Sequence, residues 1–159
     1  MNENYDYRGD LLDFFADHKG SIVHKWHHYI PIYDRYLSKY RNKRVGLLEI
    51  GVSKGGSLEM WREYFGEDAR IYGIDIDPDC KQFDGVAGHV RIGSQDDPNF
   101  LNSVVSEIKK TGGLDIVIDD GSHLMTHIRK SFEILYPAMN KNSIYILEDL
   151  HTAYWRAYE

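Results

Sequence analysis

Three acidic side chains close two apolar stretches: Asp120 ends IVIDD, and Glu148 with Asp149 ends YILED. If those stretches are neighbouring strands of one sheet, the three carboxylates meet at one rim. Like charges held close in a poorly solvated site repel strongly unless they are protonated or bridged by a cation. A hard divalent ion with oxygen ligands relieves that repulsion. An all-carboxylate set favours Mg²⁺, with Mn²⁺ or Ca²⁺ as alternatives, over zinc. The plainer reading is that such acids cap helices or face water. His123 follows Asp120 by three residues, on the expected first turn of the next helix, and can face the same pocket. A neutral imidazole there is a suitable general base for a hydroxyl whose own pKa a metal has lowered. A capping or solvent-facing histidine is the alternative.

A second group of residues suits a nucleotide. Glu49-Ile50-Gly51-Val52-Ser53-Lys54-Gly55-Gly56-Ser57 is a glycine-rich turn spaced G-x-x-x-G-G, not the G-x-G-x-x-G of dinucleotide sites. Its glycines tolerate positive φ and let backbone approach a ligand closely. A pyrophosphate on the helix N-terminus would be repelled by Glu49, whereas a ligand carrying positive charge would be attracted. Asp75 stands where a strand-end carboxylate accepts hydrogen bonds from ribose hydroxyls. Each element alone has a structural explanation, a tight turn or a helix cap. Together they favour an adenosyl cofactor without a pyrophosphate, which points to S-adenosylmethionine, a sulfonium cation.

The elements that must position these residues follow from apolar periodicity. Short apolar runs at Val45–Ile50, Ile71–Ile76, His89–Ile92, Leu114–Ile118 and Ser143–Leu147 read as strands. The first, second, fourth and fifth are continuously apolar or β-branched, as in parallel strands buried on both faces. Helical stripes lie between them. Ser57–Phe65 carries Leu58, Trp61 and Phe65. Asp97-Pro98 caps a helix with Leu101, Val104, Val105 and Ile108, closed by Gly112-Gly113. Met125, Ile128, Phe132 and Leu135 form another stripe, and Pro78–Gly88 reads mostly as loop. Ahead of the strands, Asp10 can cap a helix that Gly20 stops, and Pro31 opens a second with Tyr33, Leu37 and Tyr40 on one face. Strand–helix alternation predicts an α/β fold, a doubly wound, mostly parallel Rossmann-like sheet of about five strands. Residues 1–44 form an N-terminal helical segment packing on that sheet, and residues 45–159 the α/β domain. Ligands bind such sheets outside the carboxyl ends of the strands. Every predicted strand delivers polar or acidic residues there: the Glu49–Ser57 turn, Asp75, Ser94-Gln95-Asp96, Asp119-Asp120, and Glu148-Asp149.

The motifs LLEIGVSKGGSLEMW, YGIDIDP, GSQDD, IVIDDGSH and YILEDLHTAYW resemble the class I S-adenosylmethionine-dependent methyltransferases. The nearest likeness is to the metal-dependent sugar O-methyltransferases of macrolide tailoring, together with the cephalosporin-hydroxylase-like family. It runs from about Lys19 to Tyr158, since HHYIPIYDRYL is similar to the segment preceding the first strand in that group. The resemblance implies that Glu49 and Gly51 lie near the methionine moiety, with Ser53 and Gly55 in the same loop. It implies Asp75 on the ribose, Ser94, Gln95 and Asp96 near the adenine, and Asp119 on the same cofactor rim. The metal would sit on Asp120, Glu148 and Asp149, and His123 matches the position of the family's base. The implied reaction is displacement of the methyl group by a hydroxyl of a sugar or glycosylated small molecule. Two other functions remain open: a non-catalytic cofactor-binding protein, and a nicotinamide-dependent oxidoreductase, which the glycine spacing and Glu49 disfavour. Members of the family usually continue past strand five with an antiparallel hairpin completing a seven-stranded sheet, whereas this chain stops at Glu159. The expectation is a sheet without that hairpin and an apolar edge at strand five, which a second copy or a partner would cover. The loop Asn140–Asn142 also lacks the glycine pair usual there.

Composition narrows the setting. The chain has 159 residues, 42% hydrophobic and 28% charged, one domain's worth of ordinary globular sequence. Aromatic residues make up 13%, too many for a disordered chain. A net charge of −6 argues against a nucleic-acid partner. No apolar run approaches a membrane span, and the opening MNENYDYRGD is polar, so neither membrane nor signal peptide is expected. Cys80 is the single cysteine, consistent with a reducing cytoplasm. The remaining histidines carry weaker signals. His27-His28 could line the mouth or lie on the surface. His127 follows His123 at i+4, but a zinc site would need a third ligand and the glutamate that Leu124 replaces. His151, Thr152 and Tyr154 could touch substrate.

Overall fold

The computed structural model describes residues 9–158; most of the polar opening segment lies outside them. Five strands form one parallel sheet: β1 Gly46–Ile50, β2 Arg70–Asp75, β3 His89–Ile92, β4 Ile116–Asp119 and β5 Ile144–Leu147. Their order is β3-β2-β1-β4-β5, so the winding reverses between β1 and β4. A crevice at the carboxyl ends opens at that reversal. Along a strand, alternate side chains leave on opposite faces. Leu47, Ile116 and Ile118 therefore join one core cluster, and Leu48, Ile50 and Val117 the other.

Five α-helices cover the two faces: α1 Asp10–Asp17, α2 Ile30–Leu37 and α3 Gly56–Phe65 on the first, α4 Pro98–Lys110 and α5 Met125–Leu135 on the second. Leu11, Ile30, Tyr33 and Leu37 of the N-terminal helices share a core with Leu47 and Trp61, so that segment is built into the sheet's own interior. Asp97 caps α4 by accepting from the amides of Asn99 and Phe100. The expected cap of α1 differs. Gly9 holds that position, and Asp10 lies in the first turn, where it pairs with Arg41. Tyr40 falls in a 3-10 turn beyond α2, and Pro78–Phe83 is a 3-10 helix capped by Asp77 where loop was expected.

Strand β5 is half-buried throughout, unlike the fully buried β1 and β4. It is an edge strand, so an apolar sequence that suits a two-sided interior is covered on fewer sides here. The loop before it turns on Asn142, with φ of 62°. Asparagine is one of the few side chains that accepts that conformation, and it supplies what glycine would. Among the described residues no helix is long and apolar enough to cross a membrane.

Two contacts set the geometry of the crevice. Gly51 follows β1 with φ of 95°, and a Cβ there would lie 2.2 Å from the Asp120 carbonyl oxygen. The loops after β1 and β4 can close on one another only because that atom is missing. Gly56 opens α3 directly beneath the chain at Ser21 and Ile22, whose carbonyl oxygens would lie 2.3 and 2.4 Å from a Cβ. Ser21 is tied down there, its hydroxyl donating to Glu59 at 2.6 Å. The segment between α1 and α2 is thereby laid across the carboxyl ends of the sheet.

Candidate active site

Two adjoining clefts occupy the crevice. The larger, about 360 Å³, is lined by Gly51, Ser53, Asp75, Ser94 and Gln95 from the first three strand ends. Asp75 is held tightly by its own loop: Oδ2 accepts from the amides of Val52 and Ser53 at 2.8 and 2.9 Å, Oδ1 from that of Asp77 at 2.9 Å. Burial alone would raise its pKa. The amide donors of Ser53, Asp77 and Val52 outweigh that, and the carboxyl is held below its ordinary value. The Cys80 thiol adds a side-chain contact to these amide donors.

Four of the expected cofactor residues do not line this cleft. Gly55 packs against the Phe83 ring, and Asp96 turns aside to accept from the Ser94 hydroxyl at 2.6 Å. Asp119 is buried, accepting from Gln95, Ser131 and Tyr145 at 3.1, 2.9 and 3.0 Å. Gln95 in turn accepts from the Ser122 amide at 2.7 Å, so Asp119 acts on the cleft by fixing a residue that lines it. Glu49 is also buried. Its Oε2 accepts from the Ser57 hydroxyl at 2.6 Å, and its Oε1 lies 3.1 Å from the Lys25 ammonium. No hydrogen bond satisfies that second oxygen.

The smaller cleft, about 270 Å³, is lined by His24, Lys25, Asp120, His123, Glu148 and Asp149, together with Trp26. All four residues expected to perform metal binding and proton transfer are thus brought together. The tightest group differs in membership from the expected ligand set. Asp120, His123 and Asp149 offer ligand atoms within 4.8 Å of one another, while Glu148 stands deeper. His123 Nε2 lies 3.8 Å from Asp120 Oδ1 and 4.0 Å from Asp149 Oδ2, and its Nδ1 is buried without a hydrogen-bond partner. Backbone strain collects here. Ser53, His123 and Asp149 have φ of 49°, 57° and 53°, an arrangement costly for non-glycine residues and common at functional sites.

Lys25 was not singled out by sequence. Its buried ammonium lies 2.6 Å from Asp120 Oδ2 and 2.9 Å from Glu148 Oε1. The Tyr33 hydroxyl donates to the same Glu148 oxygen at 2.5 Å, and the Tyr29 hydroxyl to Asp149 Oδ1 at 2.7 Å. Burial raises the Glu148 pKa, Lys25 opposes the rise, and the neighbouring Asp120 adds to it, for a net shift upward. His24 lines both clefts, whereas His27 and His28 line neither. His127 lines the larger cleft, 3.6 Å from Asp96. His151 is half-exposed beside Asp149, and Tyr154 faces solvent.

A protein-family model described as a methyltransferase domain matches residues 48–150. The chain is 40% identical over 157 residues to an 8-demethyl-8-(2-methoxy-alpha-L-rhamnosyl)-tetracenomycin-C 3'-O-methyltransferase of Streptomyces olivaceus, covering 94% of this chain and 39% of that protein. It is 41% identical over 136 residues to the mycinamicin VI 2''-O-methyltransferase of Micromonospora griseorubida, covering 81% of this chain and 33% of that protein. Among solved structures, the MycE methyltransferase of the mycinamycin biosynthetic pathway, in complex with Mg, SAH and mycinamycin VI, matches with a TM-score of 0.81. The two are 36% identical, over 95% of this chain and 40% of that one. The chain therefore spans about two fifths or less of the length of these relatives.

Proposed function

We propose the function from one premise: this chain belongs to the methyltransferase domain family. On our reading it is an S-adenosylmethionine-dependent, divalent-metal-assisted O-methyltransferase, acting on a hydroxyl of a sugar or glycosylated small molecule. The sugar O-methyltransferases among its relatives, and the Mg and SAH bound in the MycE structure, support the choice of acceptor, metal and cofactor. The observation that carries it is that Asp120 and His123 line both clefts. A methyl donor in the larger cleft and an acceptor in the smaller would meet at those two side chains.

The residues fit both groups. A volume of about 360 Å³ is within the usual range of roughly 300–1,000 Å³ for ligand sites. The acid cleft offers hard oxygen donors. Asp120 Oδ1, Glu148 Oε2 and Asp149 Oδ2 receive no hydrogen bond from the described residues, while the other oxygen of each is engaged. These three side chains would hold the cation. When bound, Mg²⁺ supplies acidification of a hydroxyl and S-adenosylmethionine supplies an electrophilic methyl group.

The chain's own part is to orient and to move a proton. Gly51, Ser53 and Asp75 bind the donor's methionine and ribose parts, and Ser94 and Gln95 close the adenine end. His123 accepts the acceptor's proton at Nε2, which lies 3.8 Å from Asp120 Oδ1. Holding acceptor and donor at one wall provides much of the rate through proximity. A reducing cytoplasm suits the single buried thiol, and a second copy is a fitting cover for the exposed side of β5.

Turnover and S-adenosylhomocysteine binding, measured together, test these roles. His123→Ala should lower kcat by about 10²–10⁴-fold, with cofactor affinity changed less than about threefold. Equal loss of both would refute the base. Activity should vanish with EDTA and return with Mg²⁺. Cofactor binding with no methylation of any glycosylated acceptor would point instead to a non-catalytic binding domain.

A further inference from the structure

Lys25 precedes the residues matched by the family model. Its side chain is 2% exposed, and proteins bury an ammonium only when it is well paired. Three carboxylates surround it, at 2.6 Å (Asp120), 2.9 Å (Glu148) and 3.1 Å (Glu49), more than neutralising one amine requires.

The pattern of oxygens is informative. Lys25 takes Oδ2 of Asp120 and Oε1 of Glu148, Tyr33 adds a second donor to that same Oε1, and Tyr29 takes Oδ1 of Asp149. The Asp149 amide donates back to the Tyr29 hydroxyl at 3.2 Å, which fixes the left-handed backbone there. Each carboxylate is thus gripped by one oxygen, and the other is left without a donor. Partners of this kind set the orientation of metal ligands, and losing one typically costs about 10–100-fold in metal affinity.

Resting on the function proposed above, we infer that Lys25 is a positioning residue for the divalent cation, with Tyr29 as its counterpart on Asp149. The ammonium holds the rear oxygen of Asp120, and Tyr29 that of Asp149, so that each of these neighbouring carboxylates keeps its other oxygen for the cation, while the deeper Glu148 anchors the ammonium. Through Glu49 it ties the cofactor end of the rim to the same point. The cation and the ammonium use different oxygens and are bound side by side. A simple internal counter-ion, displaced when the metal enters, would have the opposite effect on affinity.

Mn²⁺ binding to the whole chain, without cofactor or acceptor, decides between them. Titration by electron paramagnetic resonance reads both affinity and the symmetry of the bound ion. The parent chain should bind Mn²⁺, and Lys25→Met and Tyr29→Phe should each weaken it by about 10-fold or more with an altered spectrum. Tyr29→Phe removes one hydroxyl from a half-buried ring. It decides the matter alone if Lys25→Met fails to fold, and its affinity for S-adenosylhomocysteine should stay at the parent value. Tighter Mn²⁺ binding in Lys25→Met overturns the inference in favour of displacement. Unchanged binding in the folded variants overturns it as well. A parent chain that binds no Mn²⁺ removes the metal from the proposed function itself, a result separate from either variant's behaviour.

Discussion

A lysine in the middle of GSIVHKWHHY carries no local mark of burial, because its partners lie at Glu49, Asp120 and Glu148. Burial alone would lower its pKa, but the three carboxylates outweigh that and raise it, so the side chain stays an ammonium. Tyr33 is a similar case: spacing placed it on an apolar stripe, and its ring does pack against Trp61, while its hydroxyl reaches Glu148. The acids were legible because they close strands, where topology alone brings them to one rim. His123, expected on the first turn of the next helix, instead lies in the loop before α5 with a left-handed backbone, and still reaches the same cleft. Asp119 shares that position but alternates to the covered face, which is why its role is internal. Cys80 shows what burial does to a less protected group. Burial, then Asp75 and Asp77, push its thiol up to about 12. At pH 8 it should therefore remain a thiol in the folded chain and react with Ellman's reagent only slowly, at least 100-fold below the rate in denaturant. Rapid native labelling would show that the turn around Ser53, whose carbonyl accepts from the thiol, opens freely.

Among the elements, the strands were legible to within one or two residues, since continuous apolar runs in a parallel sheet have few other readings. The 3-10 helix at Pro78–Phe83 was not, because its support is tertiary. Asp84, just beyond it, accepts from Lys81 at 2.7 Å and from the Val90 amide at 2.8 Å, and pairs with Arg91. The hydrogen bond from Lys81, with the Val90 amide and Arg91, holds its carboxyl down to about 2 despite slight desolvation. A carboxylate with a depressed folded-state pKa stabilises the fold above its unfolded value, about 3.9, and loses that contribution as pH falls towards 2. The side chain is partly exposed, so screening by solvent keeps the effect small. Asp84→Asn should lower Tm at pH 7 by about 2–4 °C, near 1 kcal/mol for a chain this size. The gap between variant and parent should narrow steadily in melts from pH 4 to pH 2. A gap independent of pH would mean that Asp84 acts through shape, not charge. Gly51 is a stricter requirement of the same kind. Gly51→Ala would set a Cβ 2.2 Å from the Asp120 carbonyl oxygen at φ of 95°. It should cost about 2–4 kcal/mol, read by chemical denaturation, and abolish S-adenosylhomocysteine binding.

At the scale of the whole molecule, the two clefts lie between one strand-end rim and a segment laid over it, and the two have unequal support. The sheet strands β1 and β4 are fully buried and paired on both sides. Residues 18–26 have no helix or strand of their own and are fastened at few points, chiefly Ser21 to Glu59 and Lys25 to the acids. Local opening should therefore be far cheaper in the segment than in the sheet. A ligand that binds only the closed arrangement stabilises it by mass action, about 2.7 kcal/mol at one hundred times its dissociation constant. With S-adenosylhomocysteine and Mg²⁺ both at that excess, amide exchange at His24–Tyr29 should slow by about 100-fold or more, up to about 10⁴-fold if both ligands need the closed segment, while exchange in β1 and β4, already limited by global unfolding, slows in step with the rise in overall stability. Each ligand alone should protect the segment only in part, because His24 borders both clefts and Lys25 joins the cofactor-side Glu49 to the acids. Protection confined to the sheet, with residues 24–29 exchanging as before, would place the ligands elsewhere on the molecule and make the overlying segment a bystander.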